Sequence, residues 1–127
     1  MREVLFKGKR IDNGEWVYGG YKLEKVGEYI ATVFIIEPLT DGVFENHRVI
    51  PETVGQYTGL TDKNGKKIFE GDIVRGAWET IFQVYCDDCY LRFRAKDKNG
   101  YCQDIDFYGL DMLEIIGNIH DNPELLK

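Results

Sequence analysis

A chain of 127 residues is the size of one ordinary domain or two very small ones, and its formal net charge of −6 argues against broad attraction to phosphate backbones. At 43% hydrophobic and 30% charged residues it is globular rather than disordered, and no apolar run approaches the roughly 20 residues that span a bilayer. The N-terminus, Met1 to Lys7, mixes charge into its apolar residues and lacks a signal-peptide core, so a cytoplasmic location is expected, with Cys86, Cys89 and Cys102 as reduced thiols.

Aromatic residues at 13%, scarce alanine and 14 glycines predict many short strands joined by glycine turns. Glu3 to Lys9 and Glu15 to Leu23 read as a hairpin around Asp12-Asn13-Gly14, where Asn and Gly tolerate a tight turn. The pair Gly19-Gly20 interrupts the second strand and marks a bulge or a close backbone approach. A strand follows at Tyr29 to Ile36, whose nearly continuous apolar residues suggest burial on both faces and leave a short buried helix as the alternative. After the turn Thr40-Asp41-Gly42, Val43 to Ile50 alternates as another strand, and Pro51-Glu52 reads as a corner or single helical turn. A boundary between two halves, 1–50 and 51–127, is placed there.

The second half opens with Gly55 to Val74. Asn64-Gly65 turns the chain, Ile68-Phe69 returns it inward, and Glu70-Gly71-Asp72 turns it again. Strands are predicted at Thr80 to Tyr85, Tyr90 to Lys96, from near Tyr101, and at Leu113 to Ile119, with a turn at Lys98-Asn99-Gly100. Such spacing points to a small barrel or sandwich, in which closure removes vulnerable edges. At the end, Asn122 is placed as an N-cap with Pro123 at the first helical position, so that Leu125 and Leu126 would plug one side of the core.

Several of these segments together resemble the YopX family of proteins encoded by phages and prophages of Gram-positive bacteria. The resemblance rests on Phe6-Lys7-Gly8-Lys9-Arg10, Asp12-Asn13-Gly14-Glu15-Trp16-Val17-Tyr18-Gly19, Val54 to Leu60, Asp62 to Val74, Ile115-Ile116-Gly117-Asn118-Ile119 and Asp121 to Leu126. It implies a mostly β protein with an SH3-like small barrel in its later part, packed with a smaller N-terminal β unit. It implies no catalytic residues.

Residues that carry chemistry are few. Cys86 and Cys89 have the spacing of a zinc knuckle that Cys102 with His120 or His47 would complete, but only one ligand pair exists and Asp87-Asp88 reads as a hairpin turn, so three reduced thiols are expected and no metal. A redox role for the pair would require a helix after Cys89, and none is predicted. Asp104 with Asp106, and Glu70 with Asp72, invite a hydrolase reading, against which Asp72 is expected to fix its turn by accepting backbone N–H bonds. With no serine, two histidines and no phosphate-cradling glycine loop, neither a nucleophilic triad nor a nucleotide site is indicated. Arg92, Arg94 and Lys96 at strand spacing, and Lys63, Lys66 and Lys67 around one turn, are candidates for a local basic patch, though a solvated strand face and a solvated loop are expected. Tyr57, Phe82, Tyr85, Tyr90 and Phe93 offer rings for stacking, though at strand spacing they are expected in the core.

The sequence therefore predicts a non-enzymatic phage accessory protein without cofactors that acts by binding another protein or itself. A nucleic-acid-binding barrel using the Arg92, Arg94 and Lys96 face is the alternative, disfavoured by net charge.

Overall fold

A computed structural model of the chain describes residues 5–76, 79–87, 92–104 and 112–127. Among them the protein is mostly β, with eleven strands in two antiparallel sheets and two single turns of 3-10 helix. The chain divides into two compact units, Met1–Tyr57 and Thr58–Lys127. The division falls inside β5 (Gly55–Thr61): Gly55 and Gln56 still pair with Lys7 and Phe6 of β1 (Phe6–Lys9), and from Thr58 on the strand belongs to the second unit, where β6 (Lys67–Phe69) is its neighbour.

In the first unit β2 (Trp16–Val26) changes partner halfway. Residues 16–19 pair with β1, and residues 20–26 pair with β3 (Tyr29–Thr40), which in turn pairs with β4 (Val43–Arg48). The handover occurs at Gly19-Gly20, and it is a close approach: a Cβ on Gly19 would lie 2.0 Å from the Ile36 carbonyl oxygen. Beyond β4, Arg10 and Val49 form a single bridge, and Pro51–Thr53 make the expected helical turn. Thr53 ties that turn to β1, its hydroxyl donating to the Ile50 carbonyl and accepting from the Lys9 N–H.

Cross-strand neighbours share a face of a sheet. Val17, Val33, Ile35 and Val49 point to one side and form the small core, with Phe6, Leu23 and Val54 packed against it. Burial on both faces of β3 does not occur. Val33 and Ile35 are buried, while the alternate Phe34 and Ile36 remain half-buried, because only one face meets this core and the other carries side chains such as Lys22, whose Nζ lies 5.7 Å from the Phe34 ring centroid.

The second unit is built on β7 (Asp72–Arg75), β8 (Ile81–Asp87), β9 (Arg92–Lys96), β10 (Cys102–Asp104) and β11 (Glu114–Asn118) in the order β10-β9-β8-β7-β11. Among the described residues β10 and β11 do not pair, so the observed unit is an antiparallel sheet rather than a closed barrel. Its core is Ile68, Val74, Phe82, Val84, Phe93, Ala95 and Leu113. At roughly 1.5–3 kcal/mol for each large apolar side chain taken out of water, this is the stronger of the two cores.

Pro123–Leu126 form the terminal helical turn, but Leu125 and Leu126 are only half-buried and do not plug the core. The Asn122 side chain makes no cap to that turn. It accepts instead from the Asn118 N–H, turning back across Gly117 so closely that a Cβ there would lie 2.6 Å from its Oδ1.

Candidate functional site

Most groupings singled out in the sequence have local structural duties. Asp72 is buried, and its Oδ2 accepts from the Phe69 N–H at 2.8 Å across the Gly71 turn, as its position suggested. Glu70 beside it is half-buried. The side chain of Asp104 and the whole of Asp106 lie outside the described residues, as do Cys89 and Tyr90. Cys86 and Cys102 are half-buried and not joined in a disulfide, and among the described residues neither they nor His120 belong to a group of three converging ligand atoms.

The basic strand is similarly engaged. Arg94 donates to the Cys102 carbonyl, Lys96 places its Nζ 4.9 Å from the Tyr85 ring centroid, and both are half-buried on the face opposite Phe93 and Ala95. The side chain of Arg92 is outside the described residues. Of the turn lysines, Lys63 stands 3.9 Å from Glu114, and Lys66 and Lys67 are exposed. Tyr57, Phe82 and Phe93 are buried, as core residues should be.

One buried carboxylate escaped sequence reasoning. Asp62 accepts from the N–H groups of Asn64 and Lys66 through Oδ1, both at 2.9 Å, and from the Ile115 N–H through Oδ2 at 3.0 Å. Burial pushes its pKa up, but the three backbone N–H groups favour the charged form more strongly and hold it below the ordinary aspartate value. Asp62 thereby ties the Asn64-Gly65 turn to β11, a duty no local motif reveals because its partner Ile115 is distant in sequence.

Among the described residues, the first unit carries a cluster of exposed apolar side chains around a depression. On the face of β2, β3 and β4 opposite the core, Tyr18, Ile36, Pro38 and Phe44 surround a depression of about 430 Å3 whose floor is opened by Gly19 and Gly20. The register explains the grouping: Gly20 pairs with Ile36 and Pro38 with Phe44, so these positions share one side. Phe44 is 63% exposed and Tyr18 47%, and Leu39 and Val43 at the hairpin tip are each half in solvent. Single exposed apolar residues are ordinary, whereas several around one concavity mark an interaction site. Glu37 also lines the depression. The sequence carried a signal for this patch: Pro38 and Phe44 flank the Thr40-Asp41-Gly42 turn, where loop-adjacent apolar residues have no core to enter.

A family model described as YopX protein matches residues 5–127. The crystal structure of protein EF1440 from Enterococcus faecalis is similar to the chain with a TM-score of 0.60 and 24% identity, covering 100% of each chain, a likeness of fold. Among curated proteins none matches.

Proposed function

The chain belongs to the YopX family, and from that premise we propose that it is a non-enzymatic phage or prophage accessory protein that binds a protein partner through the Tyr18, Pro38 and Phe44 face. The observation that carries this reading is the exposed aromatic concavity on β2, β3 and β4, since exposed tyrosine and phenylalanine around a depression are the usual anchors of protein recognition. The partner's contacting segment is apolar with basic flanks, matching the apolar lining and the net charge of −6. A non-enzymatic role is supported by the structural employment of Asp62 and Asp72. We place the protein in the host cytoplasm and read the second unit as a variant of the SH3-type barrel, supported by its five-strand antiparallel order.

Tagged protein recovered from cells in which the phage genes are expressed tests the proposal, using wild type beside Phe44→Glu and Tyr18→Ala. A protein retained by wild type, identified by mass spectrometry, and lost in both variants while their circular dichroism is unchanged is the expected result. Equal recovery by all three chains would show that the interface lies elsewhere.

A further inference from the structure

We propose that Glu37, Glu45 and His47 form a divalent-cation site, matched in ligand chemistry to zinc, on the β3–β4 hairpin of the first unit. This inference is independent of the protein-binding reading. Glu37 pairs directly with Glu45, and Ile35 with His47, so Glu45 and His47 stand two apart on β4 and share a side with Glu37. One ligand atom from each of the three lies within 4.8 Å of the others, and His47 Nε2 is 2.9 Å from Glu37 Oε1.

Two features distinguish the group from a patch of surface acids. The first is the imidazole, which is 5% exposed and turned toward the carboxylates, beneath a half-buried Glu37 and an exposed Glu45. The second is electrostatic. Like charges directly opposite on paired strands repel, yet Glu37 and Glu45 occupy such a pair, and among the described residues neither is ion-paired to lysine or arginine. The neighbouring Arg10 makes both guanidinium bonds to Asp12 and acts on Glu45 only through a smaller charge–charge attraction. Two carboxylates and an imidazole offer three donors, and a dication neutralises the carboxylates.

The donor types select the ion. Imidazole nitrogen with carboxylate oxygen suits zinc, whose tetrahedral sites take ligands at about 2.0–2.2 Å and leave the fourth position here for water. Because those bond lengths put neighbouring donors roughly 3.3 Å apart, the present spacing closes by rotation of the exposed Glu45 side chain, with the two strands unmoved. On binding, His47 Nε2 would exchange its Glu37 hydrogen bond for the ion. The site would then brace the same hairpin that presents Pro38 and Phe44 on its other side.

Zinc chloride alone is titrated calorimetrically into the full chain carrying Cys86→Ala, Cys89→Ala and Cys102→Ala, which removes thiol binding. The expected result is equimolar zinc binding that weakens at least about tenfold, or about 1.4 kcal/mol, in Glu45→Gln and in Glu37→Gln. Unchanged affinity in both variants, or no binding at about 1 mM zinc, would overturn the proposal. As Glu45 is exposed, its replacement leaves the fold intact. Should the triple cysteine background not fold, the wild-type chain labelled with 15N-histidine decides: zinc moves the ring-nitrogen resonances of His47 if the site exists, and their failure to move refutes it.

Discussion

The two units handle polar groups and apolar surface in opposite ways. In the second unit, buried carboxylates are consumed by backbone N–H groups and seven apolar residues close over a shared core. The first has a core of four and leaves Tyr18, Pro38 and Phe44 in solvent on its outer face, with two carboxylates facing each other at the hairpin. Local choices in a foldable sequence tend to agree with the global structure, and departures from that agreement concentrate where a protein meets something else. On the proposed reading, the second unit supplies order and the first supplies contact.

The largest effect should come from breaking the first unit at its strand handover. Gly19→Ala forces a Cβ to within 2.0 Å of the Ile36 carbonyl oxygen, backbone against backbone, so the strands must separate. We expect a loss of about 3 kcal/mol or more, with hydrogen exchange measured by mass spectrometry rising first in peptides from β2 and β3. If the second unit is the self-sufficient scaffold, its exchange should change much less.

The next effect probes the second unit. Asp62→Ala removes three charge-assisted hydrogen bonds and leaves backbone donors unpaired, costing about 2–3 kcal/mol. The pH dependence has a definite sign. Because the folded carboxyl has a lowered pKa, its contribution is present above the unfolded value, near about 4, and is lost as pH falls through the lower folded value. Asp62→Asn should therefore flatten part of the acid limb in urea titrations. The remainder would persist through Glu114, lowered mainly by its bond from Arg75, and through Asp12, lowered mainly by its bond from Arg10.

A milder test concerns the chain end. Gly117→Ala pushes a Cβ against the Asn122 side chain, whose Oδ1 would be only 2.6 Å away. That side chain can swing aside at the cost of its bond from the Asn118 N–H, so about 1–2 kcal/mol is expected by urea denaturation. Gly117→Ala combined with Asn122→Ala should recover part of the loss, since the second change removes the obstructing group.

Legibility in the sequence followed the range of the interaction. Asp12-Asn13-Gly14, Asn64-Gly65 and Asp72 announce their turns through residues a few positions apart, and the structure places turns at all three. Asp62 was missed because one of its partners, Ile115, comes from a strand near the chain end. The doubly buried reading of β3 failed because an apolar run records hydrophobicity without recording how many layers exist to cover it. The Glu37, Glu45 and His47 group was hidden for a related reason: the register of β3 against β4 brings it together, and a one-residue slip would scatter it to opposite faces.

Phe44→Glu should have the smallest effect on stability, within about 0.5 kcal/mol, because the side chain is 63% exposed and belongs to neither core. The same substitution places a charge on the lining of the apolar depression, where a docking segment would have to desolvate it. Stability and recognition should thus separate at this position, whereas at Gly19 they fall together. A thermal melt alongside partner recovery reads both. A large drop in melting temperature for Phe44→Glu would mean that the outer face is structural after all, and the contrast between an ordering unit and a contacting one would then fail.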